Sequence, residues 1–278
     1  MVGDRLMDFD NSQAIGVFDS GVGGISVLAQ LIFTLPGERY IYYGDSLNAP
    51  YGLKSTEEVR ELSFNVVEKL LKKRIKALVV ACNTATSGAI KDLKTNLKMP
   101  VVGMEPALKP AIELNKAGKI LVMATPVTLN GKKFNDLIET YHPTSEVVKL
   151  PCRGLVEIIE KTGGKGKEVE EYLDQLFAPF NENEIASIVL GCTHFVFIKE
   201  EIMRIVGNKI AIIDGNKGTA RQLERLLQKH NLLNQEDHNT TEVLIINSSK
   251  DNEIINLKKR LLEEGLKKLG WMGNIKYI

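Results

Sequence analysis

One stretch of this 278-residue chain occurs twice, and that repeat limits the folds open to it more than any other feature. KALVVACNTAT at 76–86 and ASIVLGCTHFV at 186–196 share an apolar run, a small residue, a cysteine and polar residues behind it. The first copy is preceded by IGVFDSGVGG (15–24) and the second by KILVMATPVT (119–128), each an apolar run entering a polar turn. Each is followed by a further run ending in an acid, PVVGME (100–105) and IAIID (210–214). The spacings agree: Asp19 to Cys82 is 63 residues and Thr125 to Cys192 is 67, while Cys82 to Glu105 is 23 and Cys192 to Asp214 is 22. Four matches in one order predict two similar α/β lobes facing each other across a pseudo-two-fold axis, with equivalent residues on opposite walls of a cleft.

Between the apolar runs lie amphipathic stretches, the alternation expected of parallel sheets covered on both faces. Strands are predicted at 14–18, 40–43, 77–81, 101–104, 119–123, 185–190, 210–213 and 243–246. Ser55 and Glu58 fit a capping box at the start of a helix whose Val59, Leu62, Val66 and Leu70 form one apolar stripe. A second amphipathic helix is expected at 253–268, and KTGGKGKE (161–168) reads as a loop between helices.

Composition excludes several classes of function. A net charge of +1, with 26% charged and 44% hydrophobic residues, gives no electrostatic pull towards nucleic acid or an anionic membrane. No apolar run approaches the roughly 18 residues needed to span a bilayer. The first eleven residues carry acids and lack a hydrophobic signal core, so 1–11 reads as a mobile extension and a cytoplasmic location is expected. The three cysteines, Cys82, Cys152 and Cys192, are odd in number and widely spaced, which suggests neither a disulfide framework nor a zinc ribbon. Cys192-Thr193-His194 offers only two metal ligands, against the four of ordinary zinc sites, so no metal is expected.

Cys82 and Cys192 each follow the carboxyl end of a predicted strand, where open α/β sheets bind their ligands. Polar residues behind them (Asn83 and Thr84, and Thr193) suit helix N-termini, whose free N–H groups lower a thiol's pKa from its ordinary value near 8.5 and attract carboxylates. A lone buried cysteine is as readily a small hydrophobe. Two at equivalent repeat positions favour chemistry. Asp19, which closes the first strand, and His194, two residues after Cys192, are groups that can tune thiol ionisation. Gly21-Val22-Gly23-Gly24 is not a dinucleotide fingerprint, because Ser26 stands where the last glycine belongs; it reads as a turn that lets backbone approach a small anion.

FDSGVGGIS (18–26), YYGDSLNAPYG (42–52), ACNTAT (81–86) and LGCTH (190–194) together resemble the signature blocks of the glutamate racemases, in their usual order. The resemblance implies two flavodoxin-like, three-layer lobes with mainly parallel sheets. The first would span 12–105, completed by 215–278, and the second 106–214. It implies cofactor-independent inversion of glutamate, with Cys82 removing the α-proton from the D enantiomer and Cys192 from the L enantiomer. Asp19 would assist Cys82 and His194 would assist Cys192. Asp19, Ser20, Tyr51, Gly52, Asn83, Thr84, Thr125, Thr193 and His194 would bind substrate. Glu160 aligns with an acid that supports the second cysteine, in a poorly matching block, and Cys152 has no catalytic counterpart. The resemblance further implies a homodimer and a supply of D-glutamate for peptidoglycan. Phe195-Val196 replaces the usual aromatic-proline and is expected to alter the helix start behind His194. An aspartate racemase of the same superfamily and a non-catalytic amino-acid-binding protein are the alternative readings.

Overall fold

The computed structural model describes residues 10–234 and 240–278. The chain opens with β1 (Ile15–Asp19), α1 (Ile25–Thr34), β2 (Tyr40–Gly44), α2 (Thr56–Leu71), β3 (Ala77–Val80), α3 (Asn83–Asn96) and β4 (Val101–Gly103). It continues through α4 (Leu108–Glu113), β5 (Lys119–Ala124), α5 (Pro126–Asn130), α6 (Lys132–Tyr141), β6 (Val147–Pro151), α7 (Leu155–Thr162), α8 (Lys167–Phe177) and β7 (Ile185–Leu190). A 3-10 turn at Thr193–Ile198 leads to α9 (Lys199–Val206), β8 (Ala211–Asp214), α10 (Asn216–Lys229), β9 (Thr240–Asn247), α11 (Asn252–Lys268) and β10 (Asn274–Tyr277).

Two sheets result, and every strand pair in them is parallel. The first runs β10-β9-β2-β1-β3-β4 and the second β6-β5-β7-β8. With the C-terminal strands set aside, both have the order second-first-third-fourth, that of flavodoxin-like sheets. The repeat in the sequence is therefore a repeat in topology. Cys82 follows β3 and Cys192 follows β7, the third strand of each lobe, while Asp19 ends β1 and Thr125 follows β5, the first strand of each.

Strand alternation explains the layers. In β5, Leu121 and Met123 pack with α7, α8 and α9, whereas Ile120, Val122 and Ala124 pack on the opposite face with α4 and α6. In the first sheet Ile15 and Val17 face α1, α10 and α11, and Phe18 faces α2 and α3. Ser55 caps α2 as its sequence predicts: the Glu58 N–H donates to Ser55 Oγ at 3.2 Å and the Ser55 N–H to Glu58 Oε2 at 2.9 Å.

All eight predicted strands form; β6 and β10 are additional. Both are edge strands, alternately exposed and short of continuous apolar residues, so their pairing comes from the neighbouring strand. Residues 1–9 of the expected N-terminal extension lie outside the described residues. Asp10 and Asn11 form a turn: the Gln13 N–H donates to Asp10 O, and the buried Lys76 ammonium donates to Asn11 O. Among the described residues, no helix is long and apolar enough to cross a membrane.

Candidate active site

The carboxyl ends of β1 and β3 meet those of β5 and β7 around one cavity. Ser20, Pro50, Tyr51, Gly52, Cys82, Asn83 and Thr84 line it from the first lobe. Thr125, Val156, Cys192, Thr193 and His194 line it from the second. Ten of these twelve residues are ones the sequence singles out. The cavity volume is about 10 Å³, room for a single water.

The two sulfurs sit in unlike surroundings. Cys82 is the N-cap of α3, and its Sγ accepts the Ala85 N–H at 3.4 Å and lies 3.5 Å from Ser20 Oγ. Helix donors alone would lower this thiol. Burial, reinforced by the Asp19 carboxylate, outweighs them and pushes Cys82 up to about 12. The expectation of a depressed thiol is thus reversed here. Cys192 precedes the 3-10 turn and not an α-helix, and it makes no capping hydrogen bond. In place of helix donors, Cys192 has His194, whose Nδ1 lies 3.9 Å from its sulfur.

His194 is in turn held by Glu160, with Nε2 2.9 Å from Oε1. Burial alone would lower the imidazole's pKa. The hydrogen bonds to Cys192 and Glu160 overcome it and hold His194 well above its ordinary value. Burial likewise works against the Glu160 carboxylate, yet the bond to His194 keeps its pKa below the usual range. Glu160 comes from α7, and Gly21 makes the contact possible. A methyl group at residue 21 would lie 2.3 Å from Glu160 Oε1 and 3.2 Å from His194 Nε2.

Asp19 stands one layer behind the cavity wall, fully buried, and is not among the lining residues. Its carboxylate accepts the Gly21 N–H at 2.8 Å and the Thr193 hydroxyl at 3.2 Å. It reaches Cys82 through its charge, and Ser20 makes the contact with that sulfur. Asn83 is buried, and neither its amide nitrogen nor its oxygen has a hydrogen-bond partner among the described residues. Two unpaired amide atoms on the wall of a polar cleft leave a donor and an acceptor free for a ligand to satisfy.

Two supporting residues escape a reading of the sequence. Asp45, in the GDS of the second signature block, accepts the Tyr51 hydroxyl at 2.8 Å and fixes that wall. Lys258 arrives from the C-terminal helix, far from any motif. The Gly-Asp after two tyrosines was a usable sign of the first; nothing in the sequence near Lys258 marks the second. Cys152 is buried, donates to Leu150 O at 3.3 Å, packs in the second lobe's core and lines no part of this cavity. Burial raises its thiol far above the usual range.

The Asp/Glu/hydantoin racemase family matches residues 20–223. The glutamate racemase of Clostridium acetobutylicum is 56% identical over 250 residues, covering 90% of this chain and 97% of that one. Among solved structures, the glutamate racemase isoform RacE1 of Bacillus anthracis superposes with a TM-score of 0.82 at 29% identity, covering 96% of this chain and 98% of that one. The Francisella tularensis glutamate racemase, solved in complex with D-glutamate, has a TM-score of 0.78 at 27% identity over 96% of this chain and 98% of its own. Two lobes of one strand order, a cysteine at the same strand end of each, and these likenesses agree: the chain belongs to the Asp/Glu/hydantoin racemase family and, within it, to the glutamate racemases.

Proposed function

We propose that this chain interconverts L- and D-glutamate by two-base proton transfer at the α-carbon, with Cys82 and Cys192 as the two bases. The observation that carries the reading is the pair of buried cysteines at equivalent strand ends, facing one cavity from two lobes. Inversion requires a proton to leave one face of the α-carbon and another to arrive on the opposite face. Two fixed groups accomplish this without either one moving around the substrate.

In the L-to-D direction Cys192 takes the α-proton as thiolate and Cys82 delivers its own as thiol. The reverse direction exchanges the roles. The unlike surroundings suit this start: burial keeps the proton on Cys82, while the His194–Glu160 pair offers Cys192 a partner that can hold and return one. Negative charge develops on the substrate carboxylate as the α-proton leaves. Asn83 Nδ2 and the hydroxyls of Thr84 and Thr193 are the donors assigned to it, with Asn83 Oδ1 accepting from the substrate ammonium. Ser20, Tyr51, Gly52 and Thr125 complete the substrate wall, and Asp19 holds the Gly21 turn and Thr193. The chemistry needs no cofactor.

A cavity of about 10 Å³ is too small for glutamate, so the lobes must part to admit it and then close over it. Among the described residues the chain passes between the sheets at 104–118 and 214–216, and in this reading these two crossings serve as the hinge. The lobes in this reading comprise 12–105 with 215–278, and 106–214, supported by the packing of α10 residues Ala220, Leu223 and Leu227 with the first lobe's core. The reading includes a cytoplasmic homodimer that supplies D-glutamate for peptidoglycan.

Incubating the purified protein with each enantiomer of glutamate and aspartate in D2O, without added cofactor, tests the assignment. Loss of optical rotation with α-deuteration of glutamate is expected. Exchange confined to aspartate would make it an aspartate racemase, and binding without exchange a non-catalytic receptor.

A further inference from the structure

The mechanism leaves a buried charge close behind the cavity unused. Lys258, on α11, is completely buried, yet it contributes no atom to the cavity wall. Its Nζ lies 3.4 Å from Ser46 Oγ, donates to Asn247 Oδ1, and sits 5.4 Å from the centre of the Tyr42 ring. The Tyr42 hydroxyl donates to Gly21 O at 2.9 Å, so the lysine is one side chain removed from the turn that carries Asp19 and Ser20. Gly44 makes room for the ammonium. A methyl group at that residue would fall 1.9 Å from Lys258 Nζ and 2.9 Å from Gly21 O.

The groups in direct contact with this cation are neutral, and the charges it feels beyond them are three carboxylates. Asp19 ends β1, Asp45 follows β2, Glu160 comes across from α7, and Tyr42 lies in β2 beneath it. Each carboxylate holds a cavity residue in place: Asp19 holds Thr193, Asp45 holds Tyr51 and Glu160 holds His194. None of the twelve residues lining the cavity is lysine or arginine. A substrate with two carboxylates therefore enters a cleft backed by three acids, with His194 the sole side chain on its walls that can carry a positive charge. Buried acids of that number repel an anion unless a cation offsets them, and the effect is strong where water is excluded.

We propose that Lys258 is that cation, a positioning residue that stands behind the substrate wall and offsets Asp19, Asp45 and Glu160 so that the glutamate anion can bind. This inference rests on the glutamate reading above. Burial costs the lysine part of its charge preference, and although Asp19, Glu160 and Asp45 oppose the shift, its pKa is lowered to about 8. The binding aid is therefore fully present below that pH and fades as the pH rises through it. A buried ammonium with a lowered pKa also weakens the fold at neutral pH, so its presence needs a reason other than stability.

The test compares the wild-type enzyme with Lys258→Met, which keeps the length and apolar stem and removes the charge. With L-glutamate at pH 7, the variant is expected to show a KM about tenfold higher, kcat changed by less than about threefold, and an equal or higher melting temperature. Between pH 7 and 9 the wild-type KM is expected to rise through pH 8, and the variant's to stay flatter. The wild-type profile needs no variant to fold. An unchanged KM in Lys258→Met, a wild-type KM that follows the same pH curve as the variant, or loss of kcat together with melting temperature would overturn the proposal. Absence of any glutamate inversion by the wild-type protein would sink the reading beneath it instead.

Discussion

Thr193 of the second lobe donates its hydroxyl to Asp19 of the first at 3.2 Å, and this bond has a near-symmetric counterpart. Thr84 Oγ1 of the first lobe lies 2.9 Å from Thr125 Oγ1 of the second. Each joins the residues behind one cysteine to the first strand end of the facing lobe. The lobes are thus joined twice across the cleft, and the opening proposed above requires both latches to yield.

Closure is sensitive at Gly52. A methyl group there would lie 2.8 Å from Thr125 Cγ2 and 2.9 Å from its Cβ, a contact between the lobes with no slack. Gly52→Ala is expected to prop the cleft and lower kcat/KM by about 10- to 100-fold, the usual consequence of a misplacement near 1 Å. Its melting temperature should change little. Steady-state kinetics beside thermal unfolding check this, and activity within twofold of wild type would refute the latch.

Replacing either sulfur by oxygen, as Cys82→Ser or Cys192→Ser, is expected to lower racemisation by at least about 10²-fold, because a hydroxyl is a far weaker base at neutral pH. The fold should persist, since serine differs little in size. Both cysteines face one cavity within a single chain, so mixing the two variants is expected to restore nothing. Recovery of activity in the mixture would show that the two bases come from different chains.

Glu160→Gln tests the His194 pair. His194 is held above its ordinary 6.5, so its contribution to stability is complete below that value and lost as pH rises through the raised one. Glu160 is held below its ordinary 4.5, so its contribution is complete above that value and lost as pH falls through the lowered one. The pair therefore stabilises most between about pH 4.5 and 6.5, and the variant should lose most there. The expected loss is about 1–2 kcal/mol, modest because Glu160 is partly exposed. Its alkaline limb of activity should move to lower pH, and turnover of L-glutamate should suffer more than that of D-glutamate. Denaturant unfolding at pH 5.5 and 8, with pH–rate profiles in both directions, measures each effect.

Ser55→Ala removes the side-chain acceptor of the capping box on α2, outside the lining of the cavity. A loss of about 1 kcal/mol in unfolding free energy is expected, with kcat and KM unchanged. A matching loss of activity would show that α2 is coupled to the site more tightly than its packing implies.

The sequence by itself determined every described strand but β6 and β10, the two lobes and the two cysteines, because those depend on local pattern. Continuous Val/Ile/Leu runs make buried strands wherever they are placed, and a repeated pattern builds a repeated topology. It also supplied ten of the twelve cavity residues, through motifs that sit next to strand ends. Only the tertiary structure decided what surrounds each group. Cys82 follows an ordinary helix-start pattern, yet burial and the nearby Asp19 charge raise its thiol. Cys192 looks equivalent in sequence, but it meets a 3-10 turn and His194 in place of helix donors. Lys258 comes up behind the site through a contact that spans 212 residues. Burial and charge are properties of a side chain's neighbours in space, and most of those neighbours are distant along the chain.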